Sequence, residues 1–307
     1  MCERIATPQR YTSQPTKICE AGSIILSVRA PVGTVGKTFQ KICLGRGVCG
    51  ITSKNIEFMY QYLLNNENSW RHIEQGGTFT AINSDDIKSF PIILPSLPEQ
   101  KKIADFLSLI DQRIEKQRQL VENLKKYKRG LLSAIFDRKL RFKDTDFSLW
   151  KNVRLSECCL GFDNKRQPIS SELREKGTVP YYGANGIQDY VKDYIFDGEY
   201  ILLAEDGGHF DEFQTKPIAQ YITGKSWVNN HAHILQATEK DCTKYIYYAL
   251  VHKDIRKYIN GSSRAKLNQE DMWQIVILLP NLKQQIKIAQ FIWIFGKNWG
   301  QMVYFCK

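Results

Sequence analysis

The sequence lacks the cysteine and histidine patterns that hold structural zinc. None of its eight cysteines belongs to a Cys-x-x-Cys pair, and none has a histidine at zinc-finger spacing. The same cysteines do not suggest a disulfide scaffold. We therefore expect reduced and mostly buried thiols, and we predict neither a metal nor a cofactor.

Long apolar runs are also missing. No window approaches the roughly 18 to 20 uninterrupted apolar residues of a membrane span, and the N-terminus lacks the charged-then-apolar order of a signal peptide. We expect a cytoplasmic protein with no membrane partner.

Catalytic constellations are scarce as well. There is no Asn-Pro-Pro-Tyr or Asp-Pro-Pro-Tyr, which an adenine methyltransferase needs, and no phosphate-binding Gly-x4-Gly-Lys-Ser/Thr. The stretch "GRGVCG" has dinucleotide-site spacing, but no helix pattern follows it, so we interpret its glycines as turn residues. No acid-base or nucleophile pair stands out, and we predict no catalytic residues.

Two weaker motifs favour a structural role. Asp86-Ile87-Lys88 resembles half of a nuclease motif, but it belongs to a repeated helix-capping stretch. His231 and His233 flank Ala232 on a predicted strand and share one face, although no third metal ligand has suitable spacing. We expect these histidines to be buried or to face DNA.

What the sequence does have is positive charge, and it is concentrated in one segment. The formal net charge is +11, and residues 98–143 hold 13 Lys or Arg against 6 Asp or Glu. A local excess of this kind favours a polyanionic partner.

The same segment carries apolar residues at steps of four and three, a period of 3.5 residues, which predicts one helix of about 35 to 40 residues and roughly 55 Å. Such a coiled-coil seam needs a partner helix, and the alternative is an amphipathic helix lying on its own domain. The predicted seam consists of Ile103, Leu107, Ile110, Ile114, Val121, Leu124, Leu131 and Ile135.

The regions on either side of this helix are rich in short β-prone runs divided by glycines, and they repeat each other. "FTAINSDDIKSFPIILPSLPEQ" aligns with "RAKLNQEDMWQIVILLPNLKQQ" at a constant offset of 185 residues, which pairs Asn83 with Asn268 and Pro95 with Pro280. Each copy predicts a capped helix start and then an apolar strand ended by proline.

These passages together resemble the DNA-specificity subunits of type I restriction-modification systems, over nearly the whole chain. The spacer passage is "LPSLPEQKKIADFLSLIDQRIEKQRQLVENLKKYKRGLLSAIF", and the recognition segments are "GSIILSVRAPVGTVG", "ILLAEDGGHFDEF" and "KSWVNNHAHIL". The recurrence of one junction after each of two β-rich regions makes the resemblance specific.

The resemblance implies a non-catalytic subunit whose two target-recognition domains each recognise half of a split DNA sequence. Long helices hold these domains apart as a coiled coil. Methyltransferase (modification) subunits, which methylate adenine, and a restriction motor-nuclease subunit would bind to it. An alternative from the residues alone is a non-catalytic protein- or RNA-binding scaffold unrelated to methylation.

The predicted fold class is α+β, with two mixed β-rich target-recognition domains separated by a long coiled-coil helix. The predicted boundaries are residues 1–96 for a partial first domain, 97–143 for the spacer helix, 144–280 for the second domain, and 281–307 for the start of a truncated second helix with an aberrant tail.

Base edges are recognised by Arg, Asn and Gln, and phosphates by Lys, Arg and hydroxyl groups. Loop residues of these types beside apolar strands are the predicted DNA contacts. They are Ser27, Arg29, Lys37 and Arg46 in the first domain, and Asn185, Gln188, His209, Lys225, Asn229, Asn230, Arg264 and Lys266 in the second.

Both ends depart from the family pattern. After Phe295 the heptads stop, and Gly296 and Gly300 disfavour a helix, so we interpret the tail as a frameshift or recombination junction, with a docking tail as the alternative. The first domain lacks a counterpart of "WKNVRLSECCLGF", so its sheet should expose an edge. We expect an incomplete subunit, or a silent cassette, whose spacer helix pairs between two chains as a homodimer.

Overall fold

The computed structural model describes residues 4–72, 81–140, 150–261 and 265–304. The chain divides into two compact units, residues 1–120 and residues 121–307. The class is α+β, as the sequence predicted, with two β-containing units and one long helix, α3 (Leu97–Phe136).

Unit 1 is built around β2 (Ile24–Ser27), which lies between β3 (Val35–Lys37) and β5 (Val48–Ile51) in an antiparallel sheet. A separate pair joins β1 (Ile18–Cys19) to β4 (Ile42–Cys43). Three consecutive side chains of β2 are buried, because Ile24 and Leu26 face the main core of the unit and Ile25 faces a second cluster.

Two short helices follow, and each begins at an asparagine cap. Asn55 accepts from the backbone N–H of Phe58 at the start of α1 (Ile56–Asn65). Asn83 and Asp86 form a capping box at the start of α2 (Ser84–Ser89), as the repeated stretch predicted.

The strand predicted for the first copy of the repeat is absent. Residues 91–96 are in no strand, and the side chains of Ile93 and Leu94 are 81% and 57% exposed. Apolar sequence alone does not make a strand, because a strand exists only where a neighbouring strand takes up its backbone hydrogen bonds.

The long helix α3 has 40 residues, close to the predicted length. Glu99 holds the start of the helix, since its Oε2 accepts from the Ser96 backbone N–H at 3.0 Å and from the Ser96 hydroxyl at 2.6 Å. Buried Gln100 donates from Nε2 to the carbonyl oxygen of Pro95 at 2.9 Å. Of the first three predicted seam residues, Ile103 and Ile110 are exposed and Leu107 is half-buried.

Unit 2 contains a six-stranded sheet in the order β7-β12-β10-β11-β8-β9, in which only the β11–β8 pair is parallel. The strands are β7 (Cys159–Gly161), β8 (Lys176–Gly183), β9 (Gly186–Val191), β10 (Phe196–Ala204), β11 (Ala219–Val228) and β12 (Ala232–Ala237). Both faces of β10 are covered, because Ile201 and Leu203 face one cluster and Leu202 faces another.

The second copy of the repeat does form its strand. β15 (Val276–Leu279) pairs antiparallel with β6 (Lys151–Arg154), and α4 (Leu155–Cys158) links β6 to β7. Unit 2 also contains α5 (Thr243–Leu250), β13 (Ile259–Asn260), β14 (Lys266–Leu267) and α6 (Gln269–Trp273).

The last helix extends further than its heptad pattern. α7 (Leu282–Tyr304) continues through Gly296 and Gly300, where the heptad pattern had suggested an end. A glycine costs a helix only about 1 kcal/mol, and tertiary packing offsets this. Ile288 and Ile292 lie in the unit 2 core, and Phe295 stacks on Tyr127 with ring centroids 5.8 Å apart.

The C-terminal end of α3 packs into this same core. Leu132 and Ile135 are buried in the cluster that contains Ile288 and Ile292 of α7. Of the predicted seam, Ile135 is therefore covered within unit 2, and Leu131 packs against the same cluster. The junction glutamine recurs, because Gln285 Nε2 donates to the carbonyl oxygen of Pro280 at 2.9 Å, as Gln100 does to Pro95.

Candidate nucleic-acid interface

Three connections of unit 2 converge on a cavity of about 380 Å³. They are the β8–β9 hairpin, the loop after β10, and the residues between β11 and β12. Asn185 of the hairpin donates from Nδ2 to the carbonyl oxygen of Gly207, 2.8 Å away. Asn229 donates from Nδ2 to Oε1 of Gln188 at 3.1 Å. Side-chain amides thus tie the three connections together.

A histidine completes this arrangement at the cavity wall. His231 Nδ1 lies 2.5 Å from Oδ1 of Asp206, and the His231 backbone N–H donates to Oδ1 of Asn229 at 2.9 Å. The turn after β11 is therefore held to the loop after β10. We name the surface formed by Asn185, Gln188, Asn229, Asn230 and His231 the amide rim.

A largely buried ion network, with Lys266 at its exposed edge, supports the loops of the amide rim. Arg166 Nη1 lies 2.5 Å from Oε2 of Glu205 and donates to the carbonyl oxygen of Ala232 at 2.9 Å. Lys266 Nζ is 3.2 Å from Oε1 of Glu205. His233 Nδ1 is 2.5 Å from Oδ2 of Asp163.

Both ring nitrogens of His233 have polar partners. Nε2 faces the carbonyl oxygen of Leu267 at 2.9 Å, and Nδ1 faces the Asp163 carboxylate. Both ring nitrogens of His233 are therefore engaged with oxygen atoms of the protein. Burial opposes ionisation of Asp163, yet the hydrogen bond from His233, its charge and the Ile234 N–H hold the pKa of Asp163 below its usual value.

The ion network contains side chains of the types that ligate metal ions. Asp163 and Glu205 bring their carboxylates beside His233, and the three ligand atoms lie within 4.8 Å of one another. The structure therefore brings two carboxylates of a type that can ligate metals beside His233, although the sequence spacing had suggested no further ligand. Arg166 and Lys266, however, engage the carboxylate oxygens, and both nitrogens of His233 have partners, so these groups form an ion network.

His231 and His233 belong to separate ion pairs. Each pairs with a different carboxylate, Asp206 and Asp163 respectively. Sequence reasoning missed Asp163, Arg166 and Glu205, because no spacing rule connects residues up to 70 positions apart.

The predicted DNA contacts of unit 2 differ in how exposed their side chains are. Asn229 is buried, His209 is half-buried and 3.8 Å from a Glu212 oxygen, and Arg264 lies outside the described residues. Lys225 Nζ lies 4.4 Å from the centre of the Tyr194 ring. The exposed candidates are Asn185, Gln188, Lys225, Asn230 and Lys266.

In unit 1 the structure brings two of the four predicted contacts near each other. Arg29 and Arg46 are exposed, and their loops are joined where the Val28 N–H donates to the carbonyl oxygen of Gly47 at 2.9 Å. Ser27 Oγ donates to the carbonyl oxygen of Arg29. Lys37 is buried and pairs with Glu57, so its ammonium group is part of the fold.

No helix in the described part of the chain is long and apolar enough to cross a membrane. The helices α3 and α7 are long enough but carry too many polar residues.

The family model and the curated relatives that match this chain point to the same family. The family model "Type I restriction modification DNA specificity domain" matches residues 6–125 and 148–299. A Haemophilus influenzae protein named "Putative type I restriction enzyme specificity subunit" is 38% identical over 143 residues, covering 47% of this chain and 36% of that protein. A Methanocaldococcus jannaschii type I restriction enzyme specificity subunit is 22% identical over an alignment that covers 91% of this chain and 72% of that protein.

Solved structures share the fold. A crystal structure of a type I restriction-modification S subunit from M. genitalium superposes with a TM-score of 0.66 and 18% identity, covering 99% of this chain and 84% of that one. A structure described as showing complex assembly and conformational transition of the type I restriction-modification system has a TM-score of 0.58 and 16% identity, covering 97% and 80%.

The family match covers most of both units, and the fold agrees with it. The chain therefore belongs to the type I restriction modification DNA specificity domain family.

Proposed function

We propose that this chain is a non-catalytic DNA-specificity subunit of a type I restriction-modification complex, which directs adenine methylation and restriction to a bipartite DNA target. The observation that carries the proposal is the family match, because it extends over both units. Two domains of one family in one chain suit a target made of two half-sites.

The amide rim supplies the chemistry for base recognition in unit 2. Asn and Gln offer a paired donor and acceptor that match the major-groove edge of adenine. Asn185 and Gln188 are exposed, and each has one end of its amide held by a loop contact. The other end has no partner among the described residues. Holding an amide in place before binding lowers the entropy lost on contact with DNA.

The exposed lysines suit the phosphate backbone. Lys225 rests on the Tyr194 ring and has no acidic partner among the described residues, so its charge is available to a phosphate. Lys266 is already paired with Glu205 and would contribute less. In unit 1, Arg29 and Arg46 on adjacent loops form the corresponding basic site.

Base recognition and phosphate binding can be distinguished by measuring how the purified full chain binds a randomised pool of DNA duplexes. Gln188→Glu keeps the oxygen that accepts from Asn229 but replaces the outward amide nitrogen, so we expect a changed sequence preference at one position. Lys225→Ala should weaken binding about equally for all sequences and reduce the salt slope by about one.

The control is Lys192→Ala, which removes a cation of the same unit that is paired with Glu175. It should leave both sequence preference and affinity close to those of the unaltered chain. A chain that enriches no sequence, or that binds heparin and DNA alike, would contradict the proposed function.

Partner subunits are part of the proposal. Modification subunits and a restriction motor-nuclease subunit would bind this chain, with α3 and α7 as the contact elements. The first half of α3 supports an additional contact between two copies of the chain. Ile103, Phe106, Leu109 and Ile110 are exposed there, and apolar side chains in this density favour a helix partner.

Sedimentation of the purified chain tests the homodimer. The unaltered protein should sediment as a dimer at micromolar concentration, and Ile110→Glu should shift it to a monomer, since two carboxylates would be buried at the seam. Gln119→Glu, an exposed position on the same helix, is the control. A stable monomer of the unaltered chain would refute the homodimer while leaving the DNA proposal untouched.

A further inference from the structure

Unit 2 has a second cavity, of about 580 Å³, which shares no lining residue with the cavity at the amide rim. It lies between the last turns of α3, the residues after α5 and the segment that precedes β11. Cavities that hold small ligands usually measure about 300 to 1,000 Å³. We name it the α3–α5 cavity, and its charged or titratable lining residues are Arg129, Asp137, His252, Lys253 and Asp254.

Two cations of the α3–α5 cavity have no ion pair among the described residues. They are Arg129 and Lys253, and both side chains are half-buried. The hydrogen bond from Lys125, 2.6 Å away, is the main cause that lowers the pKa of Glu122, and Arg129 adds only a weaker effect of its charge. A cation drawn partly out of water without a partner costs free energy, which an anion in the cavity would offset.

The two acids of the cavity wall already have partners. Asp137 lies 3.0 Å from Nζ of Lys139 and accepts from the Ser133 hydroxyl at 2.9 Å. Both carboxylate oxygens of Asp254 accept from the Arg256 guanidinium, at 3.0 and 2.7 Å. Lys139 and Arg256 do not line the cavity. The charge that remains available to a ligand is therefore positive.

A histidine between these groups is affected by the same charges. Burial is the largest cause that lowers the pKa of His252. A hydrogen bond with the carbonyl oxygen of Phe213 opposes this effect, but the charges of Arg129 and Lys128 lower the pKa further. Burial is also the main cause that lowers the pKa of Lys253. Both shifts agree with a shielded site where positive charges lie close together.

Two aromatic rings form another part of the wall. Phe136 packs against Tyr245 with ring centroids 5.6 Å apart, and the Arg256 guanidinium lies 5.3 Å from the centre of the Phe213 ring. Each ring is thus held in place by a neighbour, and each still lines the cavity. Flat rings stack favourably on such side chains. The exposed amide of Gln214 adds a hydrogen-bonding group beside them.

We propose that the α3–α5 cavity binds a nucleoside phosphate, with the phosphate on Arg129 and Lys253 and the base against Phe136 and Phe213. A guanidinium group can hold phosphate oxygens with two parallel hydrogen bonds, and an ammonium group adds a point charge. This inference does not depend on the proposed DNA function, because none of these residues belongs to the amide rim or to the basic site of unit 1.

The probe is adenosine monophosphate (AMP), added to the purified full chain in a calorimetric titration. Inorganic phosphate and adenosine are titrated separately, because each carries only one of the two parts that the cavity would hold. We expect saturable binding of AMP that is tighter than that of either part by about tenfold or more, as the loss of charge-assisted hydrogen bonds or of a stacked ring predicts.

Two variants make the test specific. Arg129→Met and Lys253→Met keep much of the side-chain bulk and remove the charge, so each should weaken AMP binding by about tenfold or more. Lys240→Met is the matched control, since Lys240 is an exposed cation of the same unit outside the cavity, and it should bind AMP normally.

Urea unfolding without AMP separates binding from folding. Lys253→Met should keep the midpoint of the unaltered chain or raise it, because the substitution removes a cation that is partly withdrawn from water. A lower midpoint would identify Lys253 as a structural cation and overturn its place in the site.

Three results would overturn the proposal itself. One is equal affinity for AMP and inorganic phosphate, which would show a surface that binds any anion. Another is AMP binding that survives both Arg129→Met and Lys253→Met. The third is displacement of AMP by a mixed-sequence DNA duplex, which would make the cavity part of a DNA-binding surface.

Discussion

Substitution of Arg166 by methionine tests whether the ion network beneath the amide rim stabilises unit 2. The Arg166 and Glu205 side chains are only 15% and 14% exposed, so the pair is shielded from water. Methionine retains the bulk of the arginine stem and removes its charge and its donors. Glu205 then keeps Lys266 as its nearest cation, at 3.2 Å.

The expected cost follows from that geometry. Removing one partner of a buried pair destabilises a protein by about 3 to 5 kcal/mol, since the other charge stays buried without compensation. Lys266 offsets part of this for Glu205, so we expect about 3 kcal/mol for Arg166→Met. The double variant Arg166→Met with Glu205→Gln should cost less than the sum of the two single variants, by about 1 to 2 kcal/mol.

Urea unfolding followed by tryptophan fluorescence measures these differences. Trp227 is a useful reporter, because its indole N–H donates to the carbonyl oxygen of Gln167, next to Arg166. Lys192→Met is the matched control, since its pair with Glu175 is 65% and 72% exposed and should cost under about 1 kcal/mol. A loss below 1 kcal/mol for Arg166→Met, or strictly additive effects in the double variant, would refute the role of the network.

Three further outcomes are expected. The folded pKa of Asp163 lies below its usual value, so the stability that its carboxylate contributes is complete above about pH 4 and is lost as pH falls through the folded pKa. Asp163→Asn should lack this pH-dependent part of the free energy of unfolding. An acid unfolding profile unchanged by the substitution would contradict the prediction. Gly33→Ala should destabilise unit 1 by more than about 1 kcal/mol in thermal unfolding, since φ is +88° and the added carbon would lie 2.7 Å from Trp70; an unchanged midpoint would exclude that strain. Tyr245→Phe should cost about 1 kcal/mol in urea unfolding, because its hydroxyl donates to the carbonyl oxygen of Leu278 at 2.8 Å, and a neutral result would show that water replaces this bond.

The elements that local pattern controls were predictable from the sequence. The apolar period and Pro98 predicted a helix of 35 to 40 residues, and α3 has 40, although it ends at Phe136 and not at residue 143. The repeat predicted the two junctions, where Gln100 and Gln285 make the same hydrogen bond. Both features depend on residues close together in the chain.

Features that depend on distant partners were not predictable. Residues 91–94 have strand composition but form no strand, while β15 pairs with β6 more than 120 positions away. The ion network joins Asp163, Glu205 and Lys266 from three separate stretches. α7 passes through Gly296 because its packing on unit 2 outweighs local propensity.

The central claim is that this chain directs a methyltransferase to a split DNA sequence. Its most direct test is to express the chain together with a modification subunit of its own system and to map N6-methyladenine across the host genome. The account predicts a bipartite methylated motif that appears only when the chain is present and that changes with Gln188→Glu. Methylation that is absent, or identical with and without the chain, would contradict it.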